Sequence, residues 1–152
     1  MPPVSESEKE RRDRELIELL NELRVTLPGV QVLFAFLLAV PFTQRWDATT
    51  SIQRYAFFAA ILSATAATVL LIAPSTYHRL RFRQGDKEQM LATANRLTIA
   101  GTFFLALSMT AVVFVVTDVV FDLVVAVVVA AATAAAFAWF WYGLALVRRT
   151  QD

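Results

Sequence analysis

The chain has 152 residues, 57% of them hydrophobic and only 18% charged, with a formal net charge of +1 and no cysteine. The missing cysteines exclude disulfides, thiolate metal sites and thiol nucleophiles, and the near-zero net charge makes no case for nucleic acid. A mean hydropathy of +0.55 is high for a soluble domain.

Charge is also unevenly spread. Four stretches carry none, counting histidine as neutral: Val25–Gln44, Tyr55–His78, Leu97–Thr117 and Leu123–Val147. Each has 20 or more residues, and about 20 apolar residues are needed for a helix to cross a hydrocarbon core of roughly 30 Å. The expected class is therefore an all-α bundle of four transmembrane helices.

Residues 1–26 form a tail and an amphipathic helix. From about Ser7 the pattern is helical, with Leu16, Leu20, Leu23 and Leu27 on one stripe and Glu15, Glu18, Glu22 and Arg24 on the other. Such a helix lies on the bilayer surface or packs on a neighbouring subunit. Seven acidic residues against five basic ones in the first 24 argue against strong attraction to anionic lipid. The acidic-basic run before the first apolar segment is unlike a signal peptide. Pro28-Gly29 is expected to break this helix from the next at a bend, since the residue before a proline is pushed from helical angles. The first span, about 27–43, is the shortest.

The polar stretch "TQRWDATTSIQR" follows, and Thr50 with Gln53 has the spacing of a capping box. Span two is expected over about 55–73, stopped at Pro74. The turn around Gly85 comes next, where Asp86 with Gln89 repeats the capping spacing and predicts a helix that starts inside the polar loop. Span three covers about 95–117. "DVVFD" is short enough to make spans three and four a tight antiparallel hairpin. Span four, about 119–147, ends in "AWFWYGLALVRR", whose Trp139, Trp141 and Tyr142 match an interfacial aromatic belt. Residues 148–152 are a tail.

The basic residues give an orientation. With the N-terminus cytoplasmic, twelve Lys and Arg fall inside and only Arg45 and Arg54 outside. The expectation is a multi-pass protein with both termini cytoplasmic. "APSTYHRLRFR" (Ala73–Arg83) is then the cytoplasmic exit of span two. His78, Arg79, Arg81 and Arg83 there are candidates for contact with lipid headgroups or another anion. A catalytic His78 is disfavoured, because no nucleophile or metal partner accompanies it.

No ionisable group falls in the predicted hydrophobic centres, which disfavours proton-coupled transport. The available polar groups are Gln31 and hydroxyls such as Ser63, Thr68, Thr102, Ser108 and Thr133. Small residues recur every fourth position: Ala126, Ala130, Ala134 and Ala138 in span four, and Ala56, Ala60, Ala64 and Thr68 in span two. They let helices approach closely, within the bundle or between subunits. Asp118 and Asp122 are one turn apart at the outer end. Asp118 is placed best to cap span four, and together the two could form an acidic ring at a pore mouth. Glu22 and Arg96 could pair or be solvated. No motif for phosphate binding, metal binding or enzymatic catalysis is present, so no cofactor is implied and an enzyme is not expected.

The runs "ELLNELRVTLPGVQVLFAFLLAVPF" (Glu18–Phe42), "APSTYHRLRFR" and "ANR" (Ala94–Arg96) resemble a family of small four-span membrane proteins, mainly actinobacterial, classed as a domain of unknown function. The resemblance covers about Glu15 to Val147. It implies four spans in a bacterial inner membrane and brings no catalytic residues. Taken together, the sequence points to a homo-oligomeric membrane protein, read first as an ion-conducting channel. The alternative is a non-conducting accessory or scaffold protein that binds a partner protein or lipid through its cytoplasmic helix and basic loop.

Overall fold

Pro28 cannot donate the backbone hydrogen bond that a helix interior requires, yet one unbroken helix runs through it. In the computed structural model, which describes residues 8–44, 46–81 and 87–143, α1 spans Glu8–Ala39 with Pro28 inside. The break expected at Pro28-Gly29 is thus corrected: the amphipathic segment and the first span are one helix. The reason is a single stripe that crosses the proline. Leu23, Val30 and Leu37, seven residues apart, are each at most 3% exposed. Leu19, Leu27 and Leu33 pack beside them. Packing on both sides of Pro28 outweighs one missing bond. The carbonyl that loses its partner belongs to Arg24, at the polar end of the span where water reaches it.

After α1, two single turns of 3₁₀ helix, Val40–Phe42 and Trp46–Ala48, carry the chain across to α2, Ser51–Arg81. This helix also overrides a proline: Pro74 lies inside it and is buried. It therefore does not end where the sequence placed its end. Away from water the competing partners for a backbone are gone, so helices tolerate proline where neighbours pack around it. α3 covers Lys87–Val120 and α4 covers Leu123–Phe137. α3 starts in the polar loop, as expected, whereas Asp86 lies outside the described residues. Only Phe121 and Asp122 separate α3 from α4, which makes the expected tight hairpin. Residues 119 and 120, assigned by sequence to span four, belong to α3. A π-helical turn, Ala138–Gly143, extends α4.

α2 and α3 form the central pair, and α1 lies against both. Among the described residues α4 touches α3 and neither α1 nor α2, so the bundle is open on that side. The core has two layers. One joins Leu23 and Val30 of α1 to Ala67 and Leu71 of α2 and Leu105 of α3. The other joins Leu37 to Phe57, Ala60 and Ala64, with Trp46 against it. Trp46 meets Phe57 edge to face, with centroids 5.0 Å apart.

α2 and α3 approach closely at Gly101. A Cβ there would stand 2.7 Å from Cγ of Leu71 and 2.8 Å from its Cδ2. Ser108, fully buried, donates across the same interface to the carbonyl of Ala60 at 2.8 Å. Small residues thus do bring the central pair together, at Ala60, Ala64 and Ala67, all 0% exposed.

Candidate functional site

The end of the bundle where α2 starts and α3 finishes is built from the chain's own helix ends. Thr50 Oγ1 accepts from the Gln53 amide at 3.3 Å, and Gln53 Oε1 accepts from the Thr50 amide at 3.0 Å. That reciprocal pair is the capping box read from the sequence. Gln53 then does something the sequence did not signal. Its Nε2 donates to Asp118 Oδ2 at 2.8 Å, which ties the start of α2 to the end of α3. Gln53 is 8% exposed, so this bond is largely shielded from water. Arg54 turns outward, donating to Thr49 Oγ1 at 3.0 Å and to the Asp47 carbonyl at 3.4 Å.

The capping role expected of Asp118 therefore falls to Asp122. Asp118 is inside α3 and holds Gln53. Asp122 is the N-cap of α4, with extended backbone and a side chain that accepts from the Val125 amide at 2.9 Å. Four residues is one turn, but the turn belongs to α3, and α4 begins only after it. Asp122 is exposed and Asp118 half-buried.

At membrane depth the hydroxyls are engaged with backbone. Thr65, Thr68, Thr98, Thr110 and Thr133 each donate to the carbonyl four residues earlier, the usual fate of such side chains in apolar helices. Among the described residues no buried side-chain nitrogen or oxygen lacks a partner, and no cluster of three or more metal-ligating side chains occurs.

The alanine row of α4 serves packing only at its start. Ala126 is 0% exposed and Ala130 half-buried, while Ala134 and Ala138 are exposed. A row at four-residue spacing turns by about 40° per step on a 3.6-residue helix, so after two steps it drifts from the buried α3 interface to an open groove beside it. Thr133 and Phe137 are the half-buried residues of this stretch. Glu22 and Arg96 form no ion pair among the described residues, whereas Arg11–Glu15 and Arg14–Glu18 pair along α1. At the basic exit, His78, Arg79 and Arg81 continue α2. Their side chains, and all of Arg83, lie outside the described residues.

Four helical segments are long and apolar enough to cross a membrane: Ile17–Phe42, Ser51–Thr76, Leu91–Val120 and Leu123–Gly143. They define a multi-pass α-helical membrane protein. The chain belongs to a family of unknown function, DUF6328, which matches residues 5–145. No curated protein and no solved structure matches it.

Proposed function

We propose that the protein is a self-associating accessory or scaffold protein of a bacterial cytoplasmic membrane, non-enzymatic, with both termini cytoplasmic. The observation that carries this reading is the asymmetry of α1. Its apolar stripe is spent on α2 and α3. Its other face, at the N-terminal end of the segment Ile17–Phe42, carries Glu18, Asn21, Glu22 and Thr26 around an open hollow that also contains Val25, 80% exposed. A charged helix face with an apolar centre suits a cytoplasmic partner protein better than it suits anionic lipid. The orientation rests on the twelve-to-two distribution of Lys and Arg. Self-association is supported by α4, which packs on α3 alone and leaves Val124, Val127 and Val128 more than half exposed.

A second reading, an ion pathway between subunits, is favoured by Asp122. It is exposed at the outer end, and repeated around an oligomer it would make an acidic ring. The engaged hydroxyls and the valine-alanine surface of α4 speak for the scaffold reading over this one. Reconstitution into planar bilayers, with oligomeric state measured in nanodiscs, separates the two. The scaffold reading expects an oligomer with no conductance under any voltage or salt gradient. Cation currents that fall at low ionic strength in Asp122→Asn would overturn it.

A further inference from the structure

The open side of the bundle contains a groove. It runs between α3 and α4, encloses about 170 Å³, and is walled by Phe103, Leu107 and Thr110 on one side and Ala134, Phe137 and Tyr142 on the other. Its size is close to that of the roughly 150 Å³ apolar cavities that hold a benzene ring. Phe103 and Leu107 remain 55% and 45% exposed, so the groove opens sideways to whatever surrounds the helices.

One end is built differently. The π-helical turn at Ala138–Gly143 places residues five apart on one face, which is why Phe137 and Tyr142 both line the groove. Tyr142 Oη lies 3.1 Å from Thr102 Oγ1 and donates to the Ile99 carbonyl at 3.4 Å. This hydroxyl pair closes the end nearer the polar loop. On α3, Thr102 lies six residues after Arg96, the charge that precedes the uncharged run Leu97–Thr117, so the pair sits about 9 Å along the helix from that charge. From there to Thr110 is eight residues of α3, about 12 Å at 1.5 Å per residue, close to one leaflet's depth of hydrocarbon.

Beyond the hydroxyls, on the same face of α3, stands Arg96. It is seven residues before Phe103, two turns along one face. It is exposed and makes no hydrogen bond or ion pair with any described residue. The order along the face is thus cation, hydroxyls, apolar slot. That is the order of an anionic phospholipid entering from the interface: phosphate, ester region, acyl chain. We propose that the α3–α4 groove binds one phospholipid of net negative charge, with an acyl chain between Phe103, Leu107 and Phe137 and its phosphate at Arg96. The complementarity is of charge as well as shape. Arginine matches a phosphate with a planar fork of donors, and the unpaired state of Arg96 leaves that fork free.

The test uses the full chain in phosphatidylcholine nanodiscs containing a minor fraction of phosphatidylglycerol that carries a diazirine at mid-chain. Irradiation followed by peptide mapping should concentrate label on 103–110 and 134–137 over the exposed control residues Val127 and Val128 of α4. The same diazirine on phosphatidylcholine should label about fivefold less, the effect of one interfacial arginine on an anionic lipid. Arg96→Gln should abolish that difference. Ala134→Leu, which fills the slot from an exposed position, should lower labelling by both lipids. Leu107→Phe serves the same purpose should Ala134→Leu lose its helical circular dichroism. Label spread evenly along α4, equal labelling by the two lipids in the unsubstituted protein, or full labelling in a folded slot-filling variant would overturn the proposal.

Discussion

The same substitution, glycine to alanine, is expected to act in opposite directions at two positions of this chain. At Gly29, on the exposed side of α1, nothing lies within 4 Å of the added Cβ. Alanine there removes the backbone entropy of glycine and should stabilise by up to about 1 kcal/mol. At Gly101 the same methyl meets Leu71 at 2.7 and 2.8 Å and Leu70 Cβ at 3.4 Å. Leu71 cannot swing away easily, because it is 0% exposed and held by Leu23, Val30, Ala67 and Leu105. Overpacking of this kind costs about 1–3 kcal/mol. Even after the propensity gain, Gly101→Ala should be destabilising, by roughly 1 kcal/mol. The two variants should therefore differ by about 1–3 kcal/mol. Leu71→Ala alone should cost about 2–5 kcal/mol, but added to Gly101→Ala it should cost at least about 1 kcal/mol less, because it removes the clash. Unfolding in mixed micelles, followed by far-ultraviolet circular dichroism against denaturing detergent, measures all four proteins. If Gly101→Ala stabilises as much as Gly29→Ala, the helices do not approach at Gly101 and the packing of the central pair is wrong.

Three further outcomes follow from the polar contacts. Asp122→Ala should weaken the start of α4 by about 1 kcal/mol, the ordinary value of a lost N-cap, seen as a lower midpoint in the same titration. Asp118→Asn should be close to neutral, since its amide oxygen still accepts from Gln53, whereas Asp118→Leu strands a shielded donor and should cost about 1–3 kcal/mol; equal effects of the two would refute the Gln53 bond. Ser108→Ala should cost about 0.6 kcal/mol and at most about 1.7, the measured range for hydroxyl bonds between membrane helices.

What could be read from the sequence was whatever depends on local pattern. Charge-free runs mark the four spans because charge is costly in hydrocarbon wherever the helix packs. The Thr50–Gln53 box is legible because both partners sit within one turn. The misread features depend on partners distant in the chain. Pro28 and Pro74 look like breaks, and only the packing of Leu23, Val30 and Leu71 on other helices reveals that they are not. Asp118 looks like a cap until Gln53, 65 residues away, is found beside it. The alanine row of α4 reads as a straight rail, although a four-residue spacing drifts around the helix. The α3–α4 groove left no signal of its own, because it depends on a π-helical turn that brings Tyr142 onto the face of Phe137.

The account rests most heavily on four crossings with both termini on the cytoplasmic side. A chain without native cysteine permits a direct measurement: single cysteines introduced as Ala48→Cys, Gly85→Cys, Phe121→Cys and Gln151→Cys, each probed in intact cells with a membrane-impermeant maleimide. Labelling of positions 48 and 121 from outside, with 85 and 151 reached only after lysis, is the predicted result. Labelling of position 85 from outside would contradict it.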